Sequence, residues 1–284
     1  MAMYGMDLSH YQDKIDLSKG QYDFCIIKAT EGIGYTDKSF DKFAVQLTEL
    51  DKLVGCYHYA RPDLHSTVDK MKSEALWFIK EVNRMNLLGK AILVLDWEVE
   101  PMDNESMVAT WCDTVFNETG VTPVIYGSSS KINKWSTMGW QVIKDYPIWI
   151  AKWSSIMKFE VGTNPELTYP GGTWYIWQYS STGNYPYFWG NVDLDLTEMS
   201  PDKWKKLAAV NRPEKEEVIT SAMQWCIDKG IFVGDGNGHY MPQEPLTREQ
   251  AAQVIYNIFN NKKNLNSVYG KKVSYSCEAM GMDD

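Results

Sequence analysis

The sequence predicts an α/β fold: a TIM-like barrel with five β/α units and three further strands, then a small, mainly helical C-terminal domain. Three observations carry this expectation. Short apolar runs alternate with amphipathic helical stretches through the first part of the chain, the pattern of a parallel sheet covered by helices. Eight strand-like runs are present, which favours a closed barrel over an open sheet. The polar, proline-bearing stretch at 210–214 then stops the pattern, and a helix–turn–helix follows.

Taken in order, residues 4–9 and 24–30 read as strands. Residues 39–51 have helical spacing, with Phe40, Phe43, Ala44, Leu47 and Leu50 on one face. Residues 54–60 are strand-like. Residues 67–85 form a clear helical pattern, with Val68, Met71, Ala75, Phe78, Ile79, Val82 and Met85 in register. Residues 91–99 read as a strand, apolar on both faces up to Leu95, as a buried parallel strand requires. Residues 104–119 are the next helix, with Met107, Val108, Trp111, Val115 and Phe116 inward. Strands follow at 122–127, 147–153, 173–181 and 191–196, with little helix between them, and residues 202–209 close the unit as a helix. The expected divisions are a barrel over 1–209, a second module over 214–262 and an unassigned tail over 263–284. In the module, helices at 218–229 and 247–259 flank a Gly-rich turn, and Thr247 with Gln250 fits a capping box.

Composition narrows the function. The 284 residues carry a net charge of −9, which disfavours a nucleic-acid binder working through a basic surface. No run approaches the roughly 20 apolar residues of a membrane helix, and the N-terminus has neither the basic start nor the apolar run of a signal peptide. The expectation is therefore a protein made in the cytoplasm, with no membrane partner. Five cysteines, none in a CxxC pair, read as small buried hydrophobes. Neither they nor the four histidines have metal-ligand spacing. Twelve tryptophans are many for this length, and aromatic faces suit both core packing and sugar rings.

The candidate chemistry sits at strand ends, where parallel barrels place their active sites. The first strand ends on Asp7, the fourth on Asp96 and Glu98, and the last carries Asp193 and Asp195. Residues two apart on a strand share a face. On the expected strand Asp96 and Glu98 therefore face one way, and their repulsion raises the pKa of one. A proton-holding acid beside an ionised carboxylate is what glycosidic-bond cleavage needs. A Mg²⁺ or Ca²⁺ site is the other use of clustered acids, but no phosphate-binding loop accompanies them.

Seven ordered stretches carry a resemblance: Gly5-Met6-Asp7-Leu8-Ser9-His10-Tyr11-Gln12, the run from Phe24 to Gly32, Gly55-Cys56-Tyr57-His58-Tyr59-Ala60, Leu95-Asp96-Trp97-Glu98, the run from Ile148 to Trp153, Trp177-Gln178-Tyr179 and Val192-Asp193-Leu194. Over about residues 3–205 the chain resembles glycoside hydrolase family 25, the lysozymes that cut peptidoglycan between N-acetylmuramic acid and N-acetylglucosamine. The resemblance implies that Glu98 is the catalytic acid. It implies that Asp96 orients the substrate acetamido group or stabilises charge at the anomeric carbon, and that Asp7 and Asp193 flank the site. Asp195 rivals Asp193, with the Val-Asp-Leu frame favouring Asp193. Tyr59, Tyr126, Trp153 and Gln178 are the candidate sugar contacts, and no cofactor or metal is implied. The expected role is a phage-type endolysin acting on the wall after release by a separate membrane-lesion protein. The alternative is a non-catalytic wall-binding protein using the same groove.

Trp225 to Pro242 and Leu246 to Ala252 resemble an S-layer homology repeat, a module that anchors proteins to secondary wall polymers. Arg248 stands where that family places a polymer-binding cation, and Trp225 opens the resemblance; wall targeting and a structural role are both open. Asp235-Gly236-Asn237-Gly238 does not continue as an EF-hand, whose twelfth loop position would be Leu246 instead of Glu.

Overall fold

The computed structural model describes residues 2–153, 161, 173–211, 221–231 and 251–256. The chain divides into two compact units, Met1–Arg212 and Pro213–Asp284.

The first unit contains β1 (Met3–Leu8), β2 (Phe24–Glu31), β3 (Tyr35–Thr36), β4 (Leu53–Tyr59), β5 (Ala91–Asp96), β6 (Val124–Ser128), β7 (Ile148–Ala151), β8 (Ile176–Tyr185) and β9 (Phe188–Thr197). Its helices are α1 (Phe40–Glu49), α2 (Val68–Arg84), α3 (Glu105–Thr119), α4 (Ser129–Thr137), α5 (Val142–Asp145) and α6 (Pro201–Ala208). Eight strands close into a barrel in the order β1-β2-β4-β5-β6-β7-β8-β9, and β9 pairs back onto β1. The two-residue β3 lies outside this ring, antiparallel to β2.

The barrel departs from the expected parallel sheet at one strand: β9 runs antiparallel to both β8 and β1. Only Pro186 and Tyr187 separate β8 from β9. A parallel return needs a crossover of a dozen or more residues, so this connection can only be a hairpin. The start of β9 therefore lies at the barrel end where the other strands finish. Two further differences matter. Strand β5 stops at Asp96, so Glu98 belongs to the following loop and its direction is not set by strand alternation. The helices α4 and α5, not assigned from sequence, fill the space after β6; α4 buries only Ile132 and Trp135, too few to print a helical period.

The strands are buried on both faces, which explains their continuous apolar runs. One face, including Cys25, Ile27, Leu93 and Leu95, packs with Phe43, Phe78 and Trp111 of the helices. The other, including Phe24, Ile26, Ile92 and Val94, fills the barrel interior together with Trp204 of α6. The Trp204 ring lies 4.7 Å from that of Phe24, and its indole N–H donates to the Val54 carbonyl at 3.2 Å. Val54 is near the start of β4, so α6 plugs the N-terminal end and leaves the opposite end open. Local signals fix the helix ends. Thr67, Asn104, Ser128 and Ser200 accept from backbone N–H groups as N-caps, and Gly120, at φ +73°, ends α3 in the left-handed conformation.

In the second unit, α7 spans Ser221–Asp228 and residues 251–256 are helical. Trp225, on α7, is half-exposed. Arg248, Thr247 and the Gly-rich turn lie outside the described residues.

Candidate active site

The open end of the barrel holds a cleft of about 570 Å³ whose lining includes Asp7, Asp96, Glu98 and Asp193. The ends of β1 and β5, the middle of β9 and one loop thus bring together the four acids singled out in the sequence. Two registers do most of this: Asp7 pairs with Asp193 across β1–β9, and Tyr59 pairs with Asp96 across β4–β5.

Asp96 is buried, and its Oδ1 is enclosed without a hydrogen-bond partner. Burial, reinforced by the nearby Glu98, pushes its pKa well above the usual carboxylate range. Glu98 opens to solvent in the cleft but is surrounded by protein on its other sides. That partial loss of hydration raises its pKa, with Lys28 acting in the opposite sense. Asp193 is raised to about 6, first by burial and then by the charge of Glu98. Carboxyls this close titrate as a group, so the cleft retains protons that separate carboxyls would have lost.

Asp7 is held by a network beneath the cleft floor. Gln178 Nε2 donates to Asp7 Oδ2 at 2.7 Å. The Gln178 Oε1 accepts from Tyr126 OH at 2.9 Å and from the Trp153 indole N–H at 2.8 Å. An indole N–H can only donate, so Trp153 fixes which end of the amide faces Asp7. Asp195, next to this network, is fully buried; one of its oxygens accepts from Trp149 Nε1 at 2.8 Å and the other is enclosed without a hydrogen-bond partner. Burial raises both carboxyls. Asp195 is absent from the cleft lining; Asp193 is the one that faces the opening.

The expected sugar contacts divide. Tyr59, Tyr126 and Gln178 line the cleft. Tyr126 and Gln178 are buried, with Tyr126 against Trp149 at 4.5 Å between ring centroids, and both belong to the hydrogen-bond chain that ends on Asp7. Trp153 is not part of the lining; it is 56% exposed and reaches the site through Gln178.

Sequence reasoning assigned no role to Lys28, Glu31 or Arg61, yet all three line the cleft. Lys28 Nζ lies 2.7 Å from Glu31 Oε2 and 4.5 Å from the centre of the Tyr59 ring, and Arg61 bonds the other Glu31 oxygen at 2.7 Å. The cation is thereby fixed where its charge lowers the pKa of both Asp96 and Glu98. One hint was present: Lys28 directly follows the buried apolar run Phe24-Cys25-Ile26-Ile27, where a charge is costly unless paired. Among the described residues, no group of three or more His, Cys, Asp or Glu side chains is arranged to hold a metal ion.

Residues 6–187 match the family profile of glycosyl hydrolases family 25. The chain belongs to that family. Residues 218–252 match the S-layer homology domain, so this family 25 barrel is followed by a module of that kind. Lysozyme M1 of Streptomyces globisporus is 29% identical over 209 residues, 68% of this chain and 66% of that protein; the chain thus spans just under two thirds of that relative's length. The bacterial lysozyme of Streptomyces coelicolor superposes with a TM-score of 0.58 at 25% identity, covering 74% of this chain and 98% of that one. The catalytic domain of the endolysin ply40 from bacteriophage P40 of Listeria monocytogenes gives 0.58 at 25% identity, covering 73% and 98%.

Proposed function

We propose that this family 25 chain is an N-acetylmuramidase that hydrolyses the β-1,4 bond between N-acetylmuramic acid and N-acetylglucosamine in peptidoglycan, acting as a phage-type endolysin. The observation that supports it is the pair Asp96 and Glu98 lining the cleft at the mouth of the barrel, both with raised pKa, the first buried and the second exposed.

Glu98 has a raised pKa and is the exposed member of the pair at the cleft, so we assign it to protonate the leaving oxygen as the glycosidic bond breaks. Asp96 lies deeper. Its carboxylate stabilises positive charge at the anomeric carbon, or holds the N–H of the muramic acetamido group so that the acetamide oxygen attacks that carbon, the substrate-assisted course. Asp193 flanks the developing oxocarbenium ion, and the Gln178 bridge keeps Asp7 in place beside it. The intact acids weigh against a purely wall-binding role. The S-layer homology module, through Arg248 and Trp225, adds affinity for an anionic secondary wall polymer.

Mass spectrometry of purified walls digested by the protein tests this. The expected products are disaccharide-peptides with N-acetylmuramic acid at the reducing end, and Glu98→Gln, which keeps the shape but cannot donate the proton, should lower the rate at least about 10²-fold. Products ending in N-acetylglucosamine, or a Glu98→Gln rate near wild type, refute the assignment.

A further inference from the structure

The strongest unexplained feature of the barrel is the tip of the β8–β9 hairpin. Trp189 is 103% exposed and Tyr187 is 90% exposed, which leaves both outside any packing role within the barrel. Tyr187 also occupies the second position of the two-residue turn with φ +61°, a conformation that turns of this size give to Gly or Asn. A bulky residue held there costs of order 1 kcal/mol or more, and such outliers gather at functional sites.

The hairpin carrying them is firmly seated. The Tyr185 hydroxyl donates to the Asp16 carbonyl at 2.9 Å and accepts from the Gly20 N–H at 2.9 Å. The ring of Tyr185 is buried and lies so close to Gly20 that an added Cβ would sit 2.3 Å from it. The aromatic tip is therefore presented by an ordered base, which reduces the entropy lost on binding.

Its position relates it to the cleft. Trp189 precedes Asp193 by four residues on β9, a span of about 13 Å along a strand. Between them, the Asn191 carbonyl accepts from Gln12 Nε2 at 3.2 Å. Gln12 and its neighbour Tyr11, itself 79% exposed, line the cleft. The strand between the tip and Asp193 is thus bonded to the cleft wall at Gln12, beside the exposed Tyr11.

We propose that Tyr187 and Trp189 form an outer sugar-binding subsite that grips the glycan strand beyond the rings seated on the acids. The occupant is the apolar face of a pyranose ring in the strand being cut, stacked on an aromatic face. The proposal rests on the reading of the cleft as a glycan-cleaving site. It adds a preference for long strands: short oligosaccharides fill the cleft without reaching the tip.

The test compares long, peptide-free glycan strands with a tetrasaccharide of the same repeat, using the full-length protein. Trp189→Ala and Tyr187→Gly should each raise KM for long strands by about tenfold relative to KM for the tetrasaccharide, while Trp189→Phe retains most of the wild-type ratio. In the Glu98→Gln background, titration of tryptophan fluorescence with long strands should show the same loss of affinity. That binding experiment separates the two claims: wild type that fails to cleave overturns the catalytic reading, whereas the subsite stands or falls on the strand affinity. An unchanged length preference and unchanged strand affinity in Trp189→Ala overturn the subsite. So does sedimentation showing a wild-type dimer that Trp189→Ala converts to monomer with strand affinity intact, which would make the tip an interface between copies.

Discussion

Asp193 links the chemistry of the cleft to the stability of the fold. Its pKa rises from 3.8 to about 6 in the barrel, because burial and the charge of Glu98 disfavour its ionised form. The folded state therefore holds this proton more tightly than the unfolded chain. Below about pH 4 both states carry it and its contribution is fully present; as pH rises through about 6 that contribution is lost. Asparagine cannot ionise and escapes the loss. Asp193→Asn should leave stability nearly unchanged at about pH 4 and raise it at pH 7 by up to roughly 3 kcal/mol, while impairing hydrolysis. Denaturant unfolding at the two pH values checks this, and an equal effect at both would show that Asp193 ionises in the fold without penalty. The four acids were legible in the sequence because charged residues ending apolar strands are conspicuous. Asp195 was harder to place, since strand alternation gives it the same face as Asp193 and only depth in the barrel separates them. Lys28, Glu31 and Arg61 were missed because their roles depend on one another across β2 and the loop after β4, a relation that no local pattern carries.

At the scale of elements, helices α1, α2 and α3 were readable because each buries a periodic apolar face against the strands. What escaped was governed by contacts distant in sequence. The direction of β9 follows from a two-residue connection, and the length of β8 and β9 beyond their expected ends depends on their pairing with each other. Within that hairpin, Gly183 pairs with Val192, and a Cβ added to it would lie 2.3 Å from Cγ of the buried Leu194. No side chain fits there without moving Leu194 or the strand. Gly183→Ala should thus destabilise the barrel by about 1–3 kcal/mol, the usual cost of overpacking, and displace the hairpin tip. Urea unfolding measures the first effect. A variant as stable as wild type would mean that the bulged register of β8 absorbs the methyl group.

At the scale of the whole chain, the family 25 barrel and the S-layer homology match fall in different compact units. Among the described residues, those lining the cleft all fall within Met1–Arg212. The end of that unit is tied by Asn211, whose N–H donates to the Gly120 carbonyl at 2.8 Å and whose side chain donates to the carbonyls of Lys206 and Ala209. A chain ending after Asn211 keeps these bonds and the core intact, and should fold alone with its chemistry unchanged. If the module binds the wall, as proposed, its contribution is to hold the enzyme at its substrate, which raises effective concentration without altering the barrier. Removal should accordingly slow lysis of whole walls while sparing hydrolysis of soluble glycan fragments. Arg248→Ala should reproduce the loss of wall retention, because it deletes a cation suited to an anionic polymer. Co-sedimentation with purified walls, with and without chemical removal of the secondary polymer, reads this directly. Wild type should lose retention when the polymer is stripped, and the two variants should be indifferent to it. Equal retention of all three proteins on both kinds of wall would assign the module to assembly or to support of the chain, and leave wall recognition entirely to the barrel.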